Sequence, residues 1–384
     1  MVVTAGYFKN PRYYVYPDDV YDGVVKVSFA GYYATGALLY DGCTILTSAH
    51  LFEGRTGIAS VTFETENGIK TITASKILLH PEYDGMGNND LALVWLSEPA
   101  PISAERYELY RDNDEIGKVF TMVGYGLTGT GNTGAIYTIS TPPIRLKAKN
   151  RFDINFLNTK LIADFDNGNP ANDALGQLEH ISDLGVGLDE GMIAPGDSGS
   201  PAFLDGKIAG VATCVTSLSY GSIHPDIDNI LNSSFGEIGV WQRISVYQEW
   251  IDRSLRANYS DAPTKPEEVK KQVLEGDDGT SYVYFLVQFI GERNDDMQIV
   301  SVDYATRDGT AKAYEDYIPV SGKLNLYPYE NHAVIPVEII GDTIPEPNEY
   351  FYLDIFNPVG GSFGEGIIKL TAVRTIIDDD GWIG

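Results

Sequence analysis

Between residues 20 and 130 the chain repeats one pattern: a short apolar run, then a break rich in Gly, Asn, Asp or Pro. The runs are Val24 to Phe29, Thr35 to Leu39, Thr44 to Ser48, Ala59 to Phe63, Leu91 to Leu96 and Phe120 to Val123. Segments this short, closed by turn residues at regular intervals, suit strands of a barrel or sandwich rather than helices. The 40 Gly and 25 Tyr of the chain fit the same mostly-β reading. From about residue 127 to 195 the pattern loosens and reads as long surface loops. Order returns at Pro201-Ala202-Phe203 and at Ile208-Ala209-Gly210-Val211-Ala212.

A chain of 384 residues exceeds one ordinary core, so two domains are expected. From Ser245 onward Val246, Trp250, Ile251 and Leu255 recur at helical spacing, and this helix is expected to close the first domain, residues 1–257. The polar, proline-bearing stretch 258–266 reads as a linker. Residues 267–384 then form a second β domain, with strands expected at Tyr282 to Phe289, Ile299 to Tyr304, Lys323 to Leu326, Ala333 to Ile339 and Tyr350 to Ile355.

The formal net charge is −27, and about half of it lies in this last third of the chain. Such a surface repels nucleic acid and anionic membranes and favours cations. No apolar run reaches the length of about 18 residues that a membrane-spanning helix needs, so no membrane insertion is expected. Met1 is followed by Val2-Val3-Thr4 without a basic start or apolar core, which suggests an export signal removed or never present; a secreted or periplasmic location is expected. With only Cys43 and Cys214, no disulfide framework arises, and both read as buried free thiols.

Hydrolysis of an amide through a serine hydroxyl needs an imidazole base, a buried carboxylate to orient it, and N–H donors for the anionic intermediate. Three segments supply these groups: Leu46-Thr47-Ser48-Ala49-His50, Asn89-Asp90-Leu91-Ala92-Leu93 and Gly196-Asp197-Ser198-Gly199-Ser200-Pro201. Alone, each is an ordinary turn or a structural histidine. Together, in this order, they resemble the His, Asp and Ser motifs of chymotrypsin/trypsin-like serine proteases. Gly124-Tyr125-Gly126 and Gly239-Val240-Trp241-Gln242-Arg243-Ile244 extend the resemblance across roughly residues 20–256.

The resemblance implies a chymotrypsin-like double β-barrel, with Ser198 as nucleophile, His50 as general base and acid, and Asp90 as the group that orients it. Gly196 and Ser198 would provide the oxyanion-hole N–H groups. Met192, Val215 and Gly239 fall at the substrate-pocket positions and imply an apolar or medium-sized side chain before the cleaved bond. A shift of the nearby loop would instead bring Asp189 or Glu190 into the pocket and favour Lys or Arg. Asp197 would take a newly freed N-terminal ammonium, here that of Val2 once Met1 is removed. Ser200 replaces a family glycine and is expected to narrow the cleft. His80, His180, His224 and His332 read as surface or packing residues. Partners implied are protein or peptide substrates and protein protease inhibitors.

Calcium takes six to eight hard oxygen ligands, so acidic clusters at strand ends are its signature. Glu315-Asp316, Gly341-Asp342-Thr343-Ile344-Pro345-Glu346-Pro347-Asn348-Glu349 and Asp378-Asp379-Asp380 are such clusters. With Val302 to Ala311 before them they resemble a Calx-β domain, an immunoglobulin-like β-sandwich. That resemblance implies a Ca2+ site built from Glu275, Asp316, Asp342, Glu346, Glu349, Asp378, Asp379 and Asp380. Asp164-Phe165-Asp166-Asn167-Gly168-Asn169 mimics part of a calcium loop but lacks the distal glutamate, and reads as a polar surface loop. The chain is thus expected to be all-β and a serine endopeptidase with a calcium-binding accessory domain. The alternative is a catalytically silent protease fold used for binding or adhesion.

Overall fold

The structure is a computed structural model that describes residues 2–381 apart from 18, 138–141, 260, 294 and 296. Six strands close into a barrel in the order Val24–Phe29, Tyr32–Leu38, Thr44–Thr47, Ala92–Leu96, Gly68–Leu79 and Ser60–Thr65. Alternation of inward and outward side chains fills its interior with Val25, Val27, Leu38, Ile45, Val61, Phe63, Ile72 and Val94. Closure satisfies the edge strands without a partner chain. The expected strands of this region all form. Gly68–Leu79 was not foreseen, because its side chains are largely solvent-exposed and a bulge between Ala74 and Lys76 breaks its alternation.

A seven-stranded sheet follows, in the order Leu146–Arg151, Val119–Gly124, Pro201–Leu204, Lys207–Ser217, Glu237–Arg243, Lys160–Asp164 and Ile154–Phe156. Its core is aromatic: Phe120 stacks on Phe152 with ring centroids 4.0 Å apart, and Trp241 meets Phe120 edge-on at 5.0 Å. The segment 127–195 is therefore not simply surface loop. It carries three of these strands and the helix Ala174–Glu179, and Phe152 and Phe165 within it are fully buried. The lysines of Leu146–Arg151 hide the strand in the sequence, since they occupy its outward positions while Leu146, Ala148 and Asn150 point inward. A four-stranded sheet threads the chain start, Val3–Thr4, between Gly129–Thr130 and Gly191–Met192.

The chain divides into compact units 1–248 and 249–384. The divide falls inside the helix Ile244–Arg256 rather than at the expected boundary near residue 257. Within the second unit the reason is visible. Asp252 accepts a 2.6 Å hydrogen bond from Tyr327, Arg256 pairs with Glu330 at 2.9 Å, and Arg253 donates to the carbonyl of Pro328. The rest of that unit is a sandwich: Gln272–Leu274, Lys369–Ile377, Glu349–Val359, Val300–Asp308 and Ser321–Leu326 form one sheet, and Thr280–Gln288 pairs with His332–Ile340. Tyr317 and Phe351 stack at 4.4 Å in its core.

Neither cysteine is fully buried as expected. Cys43 is half-buried and Cys214 exposed, and both are free thiols. Buried ion pairs contribute to the first unit instead. Glu115, fully buried, takes Arg243 on both carboxylate oxygens at 3.0 and 2.6 Å, and Ser245 at 2.6 Å. Removing one partner strands a charge, so Arg243→Ala is expected to lower stability by about 3–5 kcal/mol in urea unfolding. A change below about 1 kcal/mol would show that water reaches Glu115 readily.

Candidate active site and acidic clusters

His50 lies on the one-turn 3-10 helix Ala49–Leu51 that follows the barrel strand Thr44–Thr47, and Asp90 lies two residues before the neighbouring strand Ala92–Leu96. Asn89 before it adopts a left-handed φ of 52°, which turns the chain so that the Asp90 carboxylate points back to that turn. One oxygen of Asp90 accepts the backbone N–H of His50 at 2.9 Å, and the other lies 2.7 Å from His50 Nδ1. His50 Nε2 is 2.8 Å from Ser198 Oγ. Asp90 is completely shielded from solvent. The structure thus brings together three residues separated by up to 148 positions in a continuous hydrogen-bonded line.

Ser198 sits in a tight turn. Gly196 and Gly199 have φ of 97° and 79°, and a Cβ on Gly196 would lie 2.7 Å from the Tyr33 ring. Asp197 N–H donates to Ala194 O, and Ser200 N–H to Asp197 O. Among the described residues, the N–H groups of Gly196 and Ser198 donate to no group of the chain. Thr35 fixes the turn from the first barrel. Its N–H donates to Ser198 O at 2.8 Å, and its hydroxyl donates to Gly196 O at 2.9 Å while accepting from Tyr125 N–H. Nothing local in the sequence marks Thr35 for this role.

A cavity of about 340 Å3 opens beside Ser198, walled by Ile193, Ala194, Thr213, Cys214, Val215 and Leu231 among others. Of the three expected pocket residues only Val215 lines it. Met192 is fully buried in the core, and Gly239 leaves room for it, since a Cβ there would lie 2.7 Å from the methionine sulfur. Neither acid proposed as an alternative reaches the cavity. Asp189 pairs with Arg12 at 3.2 Å, and the Glu190 carboxylate accepts the Val186 N–H. Ser200 is fully buried away from the cavity lining, so the expected narrowing of the cleft does not arise. Asp197 is also fully buried, and accepts Gly126 and Ala194 N–H groups at 2.8 and 2.9 Å; burial pushes its carboxyl up to about 6. Val2 is fully buried, and Met1, whose removal the activation reading requires, lies outside the described residues.

In the second unit, one carboxylate oxygen each from Asp316, Glu346 and Glu349 lie within 4.8 Å of one another. Asp378 joins them by accepting Glu346 N–H at 3.0 Å, and Asp379 accepts Gly276 N–H at 3.0 Å, beside Glu275. Burial, and then the charges of Asp342, Glu346, Asp378 and Asp316, push Glu275 up to about 7. Asp380 is raised by burial and then by Asp277, a member the sequence reading omitted. A buried oxygen of Asp380 has no hydrogen-bond partner. This crowding of hard oxygens fits a cation such as calcium. A second crowd of acids, Asp164, Asp166 and Asp173, is buried rather than a surface loop as expected.

A barrel and a second sheet that meet at a Ser-His-Asp line have the trypsin-like serine protease fold, and C-terminal to it in sequence the chain carries a Calx-β sandwich. The comparisons agree: residues 17–172 match the Trypsin family model and residues 269–380 the Calx-beta domain model. Trypsin-1 of Salmo salar is 22% identical over 235 residues, covering 59% of this chain and 83% of that protein. The sodium/calcium exchanger Calx of Drosophila melanogaster is 32% identical over 133 residues, 29% of this chain. The chain spans only 14% of that exchanger. A solved mouse neuropsin, described as a serine protease, superposes with a TM-score of 0.47 at 16% identity, covering 63% of this chain and 98% of that one. The family models thus mark residues 17–172 as trypsin-like and residues 269–380 as a C-terminal Calx-β domain.

The two thiols differ in a way that can be read directly. Cys214 is exposed on the cavity wall, whereas Cys43 is half-buried and its Sγ donates to Asp41. Alkylation of folded protein with iodoacetamide is expected to label Cys214 first, with Cys43 at least about tenfold slower. Equal rates in peptide mass mapping would contradict this placement.

Proposed function

We propose that the chain is a serine endopeptidase whose second domain binds calcium. The observation that supports this most is the unbroken line from Asp90 through His50 to Ser198, opening onto an uncharged cavity. In this reading His50 Nε2 takes the Ser198 proton as Oγ attacks the substrate carbonyl, and returns it to the leaving amine. Asp90 holds Nδ1–H and stabilises the imidazolium. Gly196 and Ser198 N–H groups receive the oxyanion, a contribution of about 3–4 kcal/mol per donor in such sites. Water then releases the acyl group through the same proton path.

Substrates are proteins and peptides. The uncharged cavity lining favours an apolar or medium-sized side chain before the cleaved bond, with Val215 and Ile193 in its wall. Protein protease inhibitors would occupy the same cleft. Asp197, fully buried in the turn that carries Ser198 and accepting the Gly126 and Ala194 N–H groups, remains the acceptor proposed for an N-terminal ammonium. A secreted or periplasmic location belongs to this reading.

For the second domain, Asp316, Glu346 and Glu349 would hold Ca2+ directly, with Glu275, Asp342, Asp378, Asp379 and Asp380 completing the oxygen shell or its surroundings. The ion would neutralise the rim and tie the strand ends together.

Ser198→Ala is expected to lower kcat/KM by about 10⁴-fold or more while leaving thermal unfolding nearly unchanged. A fluorophosphonate probe should label Ser198 in the folded chain, and no labelling would favour a catalytically silent protease fold. A peptide library cleaved in calcium and in chelator checks the rest. Apolar residues should precede the cut in both, and dominance of Lys or Arg would overturn the pocket assignment. Chelator should destabilise the second domain by about 3 kcal/mol relative to calcium at a hundred times its dissociation constant.

A further inference from the structure

The trypsin-like domain contains a group of carboxylates that its candidate chemistry does not use. Asp164 ends the strand Lys160–Asp164, Asp166 follows in the next turn, and Asp173 caps the helix Ala174–Glu179. One oxygen from each lies within 4.8 Å of the others, and all three residues are buried. Asp166 is only 3% exposed, and its Oδ1 has no hydrogen-bond partner among the described residues. Glu190, fully buried, likewise leaves Oε1 without a partner.

The other two aspartates are provided for. Asp164 Oδ2 accepts Leu175 N–H at 2.9 Å, and Asp173 accepts Gly176 N–H at 2.6 Å and the Ser182 hydroxyl at 2.7 Å. These bonds favour ionised carboxylates. Among the described residues no ion pair includes Asp164, Asp166 or Asp173; Arg151 pairs with Asp183 instead. Buried charges without a counter-charge cost several kcal/mol each, so something positive has to balance them.

We propose that Asp164, Asp166 and Asp173 form a calcium site inside the trypsin-like domain, with Asp166 Oδ1 as its central ligand and Glu190 bordering it. Hard carboxylate oxygens are the donors calcium selects, and oxygens at 2.3–2.6 Å from one ion span distances like those between these three groups. Backbone carbonyls and water complete such a shell. A proton shared between Asp166 and Asp164 is the competing account. It relieves that pair alone and leaves Glu190 Oε1 unsatisfied.

The site extends beyond the endopeptidase reading, and its test does not depend on activity. Calcium bound per full-length chain, stripped with EGTA and titrated with calcium chloride, is counted by calorimetry and elemental analysis. Asp166→Asn should bind about one calcium fewer than the native chain. The Asp316→Asn, Glu349→Gln double variant should keep that ion, and calcium should slow amide exchange across residues 164–190 in it. Asp173→Asn retains an N-capping side chain and should lose the same ion, which covers the case in which Asp166→Asn fails to fold. Equal calcium counts in native chain and folded variants, or exchange across 164–190 indifferent to calcium in the double variant, would overturn the site in favour of a shared proton.

Discussion

Two hydrogen bonds from Thr35 tie the first barrel to the turn that carries Ser198, at 2.8 Å to Ser198 O and 2.9 Å to Gly196 O. His50 and Asp90 ride on that barrel, whereas Ser198 belongs to the segment leading into the second sheet. An imidazole and a hydroxyl must keep an orientation within a fraction of an ångström for proton transfer, and two separately packed cores do not hold that by themselves. These two bonds, one from the Thr35 N–H and one from its hydroxyl, convert a meeting of two cores into one rigid turn. Thr47 reinforces it by donating to Thr35 O at 2.7 Å, so the brace is itself braced.

The same turn explains why glycine stands on both sides of the dipeptide Asp197-Ser198. Left-handed backbone at Gly196 and Gly199 lets the chain double back over Thr35 and Thr47, where a Cβ on Gly199 would fall 2.2 Å from Thr47 Oγ1. With Gly196 O committed to Thr35 and Asp197 N–H to Ala194, the Gly196 and Ser198 N–H groups are left to face outward demand. The local conformation and the candidate chemistry thus have a common cause.

Legibility from sequence followed the range of the interactions. The strands of the first barrel could be read because turn residues bracket apolar runs, and His50, Asp90 and Ser198 because each sits in a recognisable short motif. The strand Leu146–Arg151 was hidden by lysines on its outer face, and Gly68–Leu79 by its exposure. Thr35 and the burial of Asp166 were invisible for a different reason: both depend on which distant segments fold over them. Met192 shows the limit of positional transfer. Its place beside the nucleophile motif is as expected, yet the side chain turns into the aromatic core instead of lining the cavity.

Without disulfides, the trypsin-like domain relies on buried electrostatics as well as packing. Arg145 pairs with Asp22 with both side chains 2% exposed, and Arg243 pairs with Glu115. Such pairs are costly to desolvate and add little stability over apolar contacts, but once formed they strongly penalise any rearrangement that separates them. They sit where segments far apart in sequence must meet: Arg145 also donates to the carbonyls of Val24 and Glu64 in the barrel. Their role is therefore to fix register between distant segments, the task that disulfide cross-links perform in other folds. A buried aspartate group awaiting a cation follows the same logic, with the counter-charge supplied by solution instead of by the chain.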